Sequence, residues 1–103
     1  MKNARARACD INLKVRAIVK ERDGYCCALC GGNGLFMSIA HYIPRSKGGL
    51  GIEQNLLVLC QRCHHNYDNT TKRQEYAVII RDYLNGHYPG FDHDRRFYKK
   101  ESI

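Results

Sequence analysis

Four cysteines in two pairs, Cys27-x-x-Cys30 and Cys60-x-x-Cys63, constrain this chain more than any other feature. Each pair can present two thiolates from one turn, and two such turns close a tetrahedron of sulfur around zinc. Thiolates suit zinc and select against magnesium. The gap between the pairs is longer than in a simple zinc ribbon, so an insert of strand, Gly-rich loop and strand separates the two turns. A site closed by four thiolates has no open coordination position, so it stabilises a fold and performs no chemistry. Such a staple matters in a chain of 103 residues, which suits one domain with a small core. Cys9 and Cys26 stand outside the pattern. Cys26 can substitute for its neighbour Cys27, but only Cys27 keeps the two-residue spacing to Cys30. Otherwise both read as ordinary buried or unreactive thiols.

Thiols bind metal rather than forming disulfides in a reducing compartment, and the sequence points there. The longest apolar stretches, such as Leu56–Cys60 and Ala77–Ile80, are far too short to cross a bilayer. The basic start, Met1–Arg7, is not followed by an apolar run of signal-peptide length. The expectation is a cytoplasmic protein with no membrane association. The alternative is a secreted disulfide scaffold whose leader was removed. The formal net charge is +7, with local clusters at Lys2–Arg7 and Arg95–Lys100. That balance suits a polyanionic partner, most often nucleic acid, although charge alone also fits a solvated surface.

Capped by Asp10 or Asn12, a helix is expected to run to about Arg22, with Leu13, Val15, Ala17, Ile18 and Val19 as a broad apolar face. Asp23-Gly24 ends it, ahead of the thiol turn Cys27–Gly32. Leu35–Ile43 reads as a strand, Ser46–Gly51 as a loop and Leu56–Leu59 as a second strand ending on Cys60. A short helix should carry Cys63, His64 and Asp68. A longer one spans roughly Thr71–Asn85, with Tyr76, Ile79, Ile80, Tyr83 and Leu84 at helical spacing and Gly86 as its stop. The organisation is therefore one domain over residues 1–103. Its core lies at about 22–70, its N-terminal helix at about 11–22, and its C-terminal helix at about 71–86 before a basic tail. There is no internal repeat or low-complexity segment.

Interleaved with the thiol pairs are His41-x-Ile43-Pro44-Arg45-Ser46-x-Gly48-Gly49, then Asn55-Leu56, then Leu59-Cys60-x-x-Cys63-His64, with Arg22-Asp23-Gly24 ahead of them. The order His41, Asn55, His64 within two C-x-x-C pairs resembles the zinc-containing HNH endonucleases of the ββα-metal, or His-Me finger, superfamily. The likeness extends from about Arg22 to Asp68. Tyr83-Leu84 and Tyr88-Pro89-Gly90-Phe91 are similar to a tail on small phage-type members. The resemblance implies an α+β fold: a ββα-metal core with flanking helices and a four-cysteine structural zinc at Cys27, Cys30, Cys60 and Cys63.

Phosphodiester cleavage needs a base to activate water, a cation to absorb charge and a grip on flanking phosphates. His41 can be the base, since imidazole titrates near neutral pH. A lone His on a strand is more often structural, and here the Pro-Arg-x-x-Gly-Gly context favours catalysis. The resemblance gives Asn55 the task of holding the loop and orienting the base, which a turn-capping Asn also fits. It makes His64 a ligand for Mg²⁺ or another divalent ion such as Mn²⁺ or Ni²⁺; the competing role is support of the adjacent zinc. Arg45 and Lys47 would contact phosphates, against the plainer reading of solvated loop charge.

One position departs from the family pattern. Members commonly place an Asp or His just before the base as a metal ligand, and here that residue is Ala40. Asp68 lies four residues after His64, so both fall on one helix face, and a carboxylate suits a hard cation. The expectation is that His64 and Asp68 hold the catalytic ion together. The competing role for Asp68 is a helix cap or an ion pair. The resemblance thus implies a DNA endonuclease leaving 5′-phosphate and 3′-hydroxyl ends. The alternative is a catalytically inactive, zinc-stabilised DNA-binding module, which Ala40 keeps open. A purely structural zinc protein is disfavoured by His41–Gly49. Expected partners are DNA, with monomer or weak homodimer as the state, and other phage or mobile-element proteins by analogy only.

Overall fold

The computed structural model of the chain describes residues 3–34 and 36–99. Lys2, Leu35 and Lys100, which the sequence assigns to the two basic clusters and to the start of the first strand, lie outside the described residues.

Two asparagines start the first two helices. Asn3 accepts from the Ala6 amide at 2.8 Å and caps α1, Ala4–Cys9. Asn12 accepts from the Val15 amide at 2.8 Å and caps α2, Leu13–Arg22. Each cap satisfies one amide that the helix leaves free. Sequence periodicity has no counterpart of α1, whose alternating Ala and Arg show no apolar stripe. The broad apolar face expected on α2 is narrower. Val19 is fully buried and Val15 packs beside it, whereas Leu13 is 83% exposed.

A two-stranded antiparallel sheet follows. β1, Met37–His41, pairs with β2, Leu56–Cys60, in a register that sets Ala40 against Leu57 and His41 against Leu56. Side chains alternate across a strand. Leu57 and Leu59 therefore enter one core with Ala40, Cys63, Tyr67, Ile80 and Leu84, while Leu56 and Val58 meet Val19 on the other side. β2 is buried on both faces, which is why it reads as a continuous apolar run.

α3, Gln61–Asn69, starts directly from β2, and α4, Arg73–His87, packs back against it. α4 runs through Gly86 rather than stopping there. One glycine costs only about 1 kcal/mol in a helix. The break comes at Tyr88, whose backbone is forced out of the helical region ahead of Pro89. Of its expected apolar positions, Ile80 and Leu84 are buried and Ile79 is 54% exposed.

The Gly-rich segment is packed backbone rather than free loop. A Cβ on Gly49 would lie 1.6 Å from the Ile43 carbonyl oxygen, and one on Gly51 would lie 2.0 Å from the Asp10 carbonyl oxygen. Only glycine permits either approach. A short 3-10 turn at Arg45–Lys47 begins this segment. The tail holds its far end: the Leu50 amide donates to the Arg96 carbonyl at 2.8 Å and the Tyr98 amide to the Gly48 carbonyl at 2.7 Å. Arg96 is itself buried, donating to the Gln54 carbonyl at 2.7 Å and to Asn85 at 3.1 Å.

Candidate functional site

The two thiol turns meet beneath the start of α3. In the first turn the Gly31 amide donates to the Cys27 carbonyl at 2.9 Å and the Cys27 amide to the Gly32 carbonyl at 2.8 Å. Gly31 has φ +74°, so the chain reverses sharply and both thiols face the same way. In the second turn Cys60 is the N-cap of α3, its sulfur accepting from the Cys63 amide at 3.4 Å. The sulfurs of Cys27, Cys30, Cys60 and Cys63 all lie within 4.8 Å of one another. Cys30 and Cys60 are 3.7 Å apart, close to the edge of about 3.8 Å for a tetrahedron with metal–sulfur bonds of about 2.3 Å. The group uses Cys27 and leaves Cys26 out, and no disulfide forms among the six cysteines. A hydrogen bond from the backbone at Gly32, then the neighbouring thiols, lowers the Cys30 thiol to about 7, while burial pushes Cys63 up. A set of four sulfurs with this spacing can hold a metal such as zinc.

A second group lines a cleft of about 710 Å³ on the other side of α3. His41, Arg45, Lys47, His64 and Asp68 all border it, so five sequence-predicted residues converge. Helical spacing explains how α3 serves both places. Cys63 and Tyr67 form one stripe, facing the core, and His64 and Asp68 form the next, facing the cleft.

His41 sits on β1 with its Nε2 2.9 Å from the Cys9 carbonyl oxygen. A carbonyl only accepts, so Nε2 carries the hydrogen and Nδ1 keeps its lone pair. Burial lowers the His41 pKa below its ordinary value of 6.5, and the Arg45 charge adds to that, against the opposing effect of the Cys9 contact. The imidazole is therefore neutral at neutral pH. Sequence reasoning could not find this anchor, because a backbone carbonyl has no residue signature.

Asn55 is fully buried behind the loop. Its Oδ1 accepts from the Ile43 amide at 2.9 Å, and its Nδ2 donates to the Leu50 carbonyl at 3.0 Å and the Ile43 carbonyl at 3.3 Å. Its own carbonyl accepts from the Tyr42 amide at 2.8 Å. One side chain thus ties both ends of the segment that carries Arg45 and Lys47.

His64 has its Nε2 2.8 Å from Asp68 Oδ2 and its Nδ1 2.6 Å from Ser38 Oγ. Beside an ionised carboxylate, Nε2 donates and Nδ1 accepts from the serine hydroxyl. Among the described residues no third His, Cys, Asp or Glu joins this pair as a possible metal-binding group. Ala40, one step before His41, borders the same cleft with its methyl group 1% exposed and packed in the core. Arg45 is engaged inside the protein, donating to the Cys9 carbonyl at 2.9 Å and to Asp10 at 2.6 Å. Lys47 is exposed.

Two residues that touch His64 and Asp68 escaped sequence reasoning. Ser38 could have been found from strand alternation, which puts it on the same face as Ala40. Arg73 carries no such signal. It lies over the Tyr67 ring at 4.5 Å, donates to the Tyr67 carbonyl at 3.1 Å and comes within 3.9 Å of Asp68. Among the described residues, no helix is long and apolar enough to cross a membrane.

Two comparisons with known proteins bear on this site. The family model described as HNH endonuclease matches residues 27–70, a span that begins at the first thiol and takes in His41, Asn55, His64 and Asp68. The chain is also similar to Anaredoxin of Nostoc sp. (strain PCC 7120 / SAG 25.82 / UTEX 2576). The two are 35% identical over 54 residues, which is 52% of this chain and 71% of that protein.

Proposed function

The chain belongs to the HNH endonuclease family, and we propose that it is a metal-dependent DNA endonuclease with His41 as its general base. Cys27, Cys30, Cys60 and Cys63 hold a structural zinc. His64 and Asp68 hold the divalent ion that serves cleavage, Mg²⁺, Mn²⁺ or Ni²⁺. The observation that carries this reading is the anchoring of His41: Nε2 is committed to the Cys9 carbonyl, and Nδ1 has no partner among the described residues.

In this scheme His41 Nδ1 takes a proton from water as the water oxygen bonds to phosphorus. The bond from phosphorus to the 3′ oxygen breaks, and that oxygen takes a proton from solvent water, leaving a 5′-phosphate and a 3′-hydroxyl. A bound divalent ion supplies positive charge to the phosphate oxygens. His64 can offer Nε2 to such an ion only by releasing the hydrogen it shares with Asp68. Ser38 allows this, because a hydroxyl that donates to Nδ1 in one tautomer accepts from Nδ1–H in the other. Lys47 and Arg73 border the same cleft and grip the strand. Arg45 reaches phosphate only by leaving Asp10, so its first task is to hold Cys9 and the loop in place.

The buried methyl of Ala40 favours a second reading, a DNA-binding module without catalysis. Nicking of supercoiled plasmid with Mg²⁺, Mn²⁺ or Ni²⁺ separates the two. The nuclease should nick, His41→Ala should lower the rate by about 10²–10⁴, and Asp68→Ala should need more metal for the same rate. Salt-dependent DNA affinity should survive His41→Ala. A wild-type chain that binds DNA but nicks with none of the three ions is the binding module.

A further inference from the structure

Two hollows meet at Met37 and Ser38 on β1. One, of about 480 Å³, holds His64 and Asp68 and is bordered by Phe36. The other lies along α2 and is bordered by Arg16, Lys20 and Tyr25. Together they extend the cleft away from His41 as one groove past the outer side of β1, which among the described residues pairs with β2 alone.

Four side chains along this groove, Arg16, Lys20, Tyr25 and Phe36, belong to neither hydrophobic core. Phe36 is 73% exposed and Tyr25 is 65% exposed. Tyr25 has φ +58°, an uncommon conformation for a bulky side chain and one that glycine would adopt without strain. The turn therefore holds a large ring in solvent where a smaller residue would fold more easily. Arg16 and Lys20 sit four apart on α2, so like charges face each other on one helix side, a mildly destabilising arrangement in isolation. Neither pairs with a carboxylate among the described residues. Arg22, Arg45 and Arg73, by contrast, each have one within 4.0 Å.

Exposed rings beside unpaired cations match a nucleic-acid strand whose bases are unstacked. Phosphates answer the cations, and bases lie flat on aromatic rings irrespective of sequence. In an intact duplex those base faces are covered. We propose that this groove binds an unpaired stretch of DNA beside the scissile phosphate, with Phe36 and Tyr25 as stacking platforms and Arg16 and Lys20 as phosphate contacts. The substrate class is then DNA with a single-stranded segment, such as a flap, gap or bubble. The proposal rests on the nuclease reading of the adjoining cleft.

The test uses the zinc-loaded full chain without added Mg²⁺, Mn²⁺ or Ni²⁺. The probes are one oligonucleotide carrying 2-aminopurine, offered single-stranded, as a duplex, and as a duplex with an unpaired flap. Single-stranded and flapped DNA should bind at least about tenfold more tightly than the duplex, with 2-aminopurine fluorescence quenched by stacking. Phe36→Ala and Tyr25→Gly should each cost about tenfold on unpaired DNA; Tyr25→Gly relieves the backbone and keeps the fold. Arg16→Gln and Lys20→Gln should each reduce the salt dependence of binding by about 0.7 in log–log slope. Val78→Ala, on the exposed side of α4, should change nothing. Equal affinity for duplex and unpaired DNA, with no effect of the two ring substitutions, overturns the groove while plasmid nicking can still stand. A chain that binds unpaired DNA through these rings but nicks no substrate keeps the groove and removes the nuclease.

Discussion

The two sides of α3 hold groups built on opposite principles. At the thiol turns, four like side chains come within 4.8 Å, two of them buried, and their spacing alone satisfies a tetrahedral ion. At the cleft, His64 and Asp68 offer only two ligand groups, and their polar atoms are already paired with each other and with Ser38. The first arrangement is complete and closed, as a structural site requires. In the proposed nuclease, the second would leave most coordination positions to water and phosphate, as an ion that meets a substrate requires. One helix carries both because successive stripes on its surface face different neighbours. Stability should therefore depend on the thiols and cleavage on the cleft, and substitutions should separate the two.

The sharpest break in that division, with the largest expected effect, comes from the exposed thiol Cys30. Because Cys30 is exposed, replacing it removes little packing. If the four thiolates hold the staple, Cys30→Ser should cost more than about 4 kcal/mol, and strong chelation should unfold the wild type. Cys26→Ser, one residue from Cys27 but outside the group, should stay within about 0.5 kcal/mol. Urea unfolding read beside metal content checks both. Equal, small losses in the two variants would mean that the thiol turns hold no structural ion.

Asn55 tests whether the cleft is held as firmly as the thiol turns. Asn55→Ala leaves the Ile43 amide and the Ile43 and Leu50 carbonyls without their side-chain partner. Losing buried partners costs about 1–3 kcal/mol per group, reduced where water enters, so about 3 kcal/mol in total is expected by urea unfolding. Asn55→Asp should lose a similar amount despite its near-identical shape. It keeps the acceptor toward Ile43 but turns a carboxylate toward two carbonyl oxygens. A loss below about 1 kcal/mol in both would show that the loop is held by the tail instead.

Much of this arrangement was legible in the sequence, and the exceptions share a cause. The thiol pairs, both strands, α2, α3 and α4 leave local marks: fixed spacing, β-run composition, an Asn cap, an apolar period. His41, Asn55 and His64 stand out through the resemblance to the HNH endonucleases, and Asp68 through its helical spacing from His64; their proposed roles rest on those signals. What stayed hidden depends on backbone or on distant pairing. The carbonyl of Cys9 orients His41, and Arg96 ties down the loop from more than forty residues along the chain. α1 has no apolar stripe, so its helix shows only through the Asn3 cap. Gly49 and Gly51 mark a loop in the sequence, but that another backbone lies against each one is a tertiary fact.

The smallest expected effect is in pH, and it asks whether the base is tuned by its surroundings or by the ion. His41 has its folded pKa below the ordinary 6.5, chiefly through burial. The unfolded chain then binds a proton more readily than the folded one as pH falls below about 6.5. The stability contributed by a neutral His41 is therefore present above that value and is lost as pH falls through the folded pKa. Cleavage should follow the same neutral imidazole, so its acid limb should lie below pH 6.5. His41→Gln should flatten the dependence of stability on pH in that window and abolish the limb. Arg45→Met removes a charge that pushes the pKa down, so the acid limb of that variant should move up. A cation held by His64 and Asp68 would cancel the Asp68 charge, which pulls the other way, and so lower the limb further. Measuring kcat/KM against pH at low and high Mn²⁺ reads both effects. An acid limb above 6.5, unmoved by Arg45→Met and by metal concentration, would mean that the titrating group is not His41.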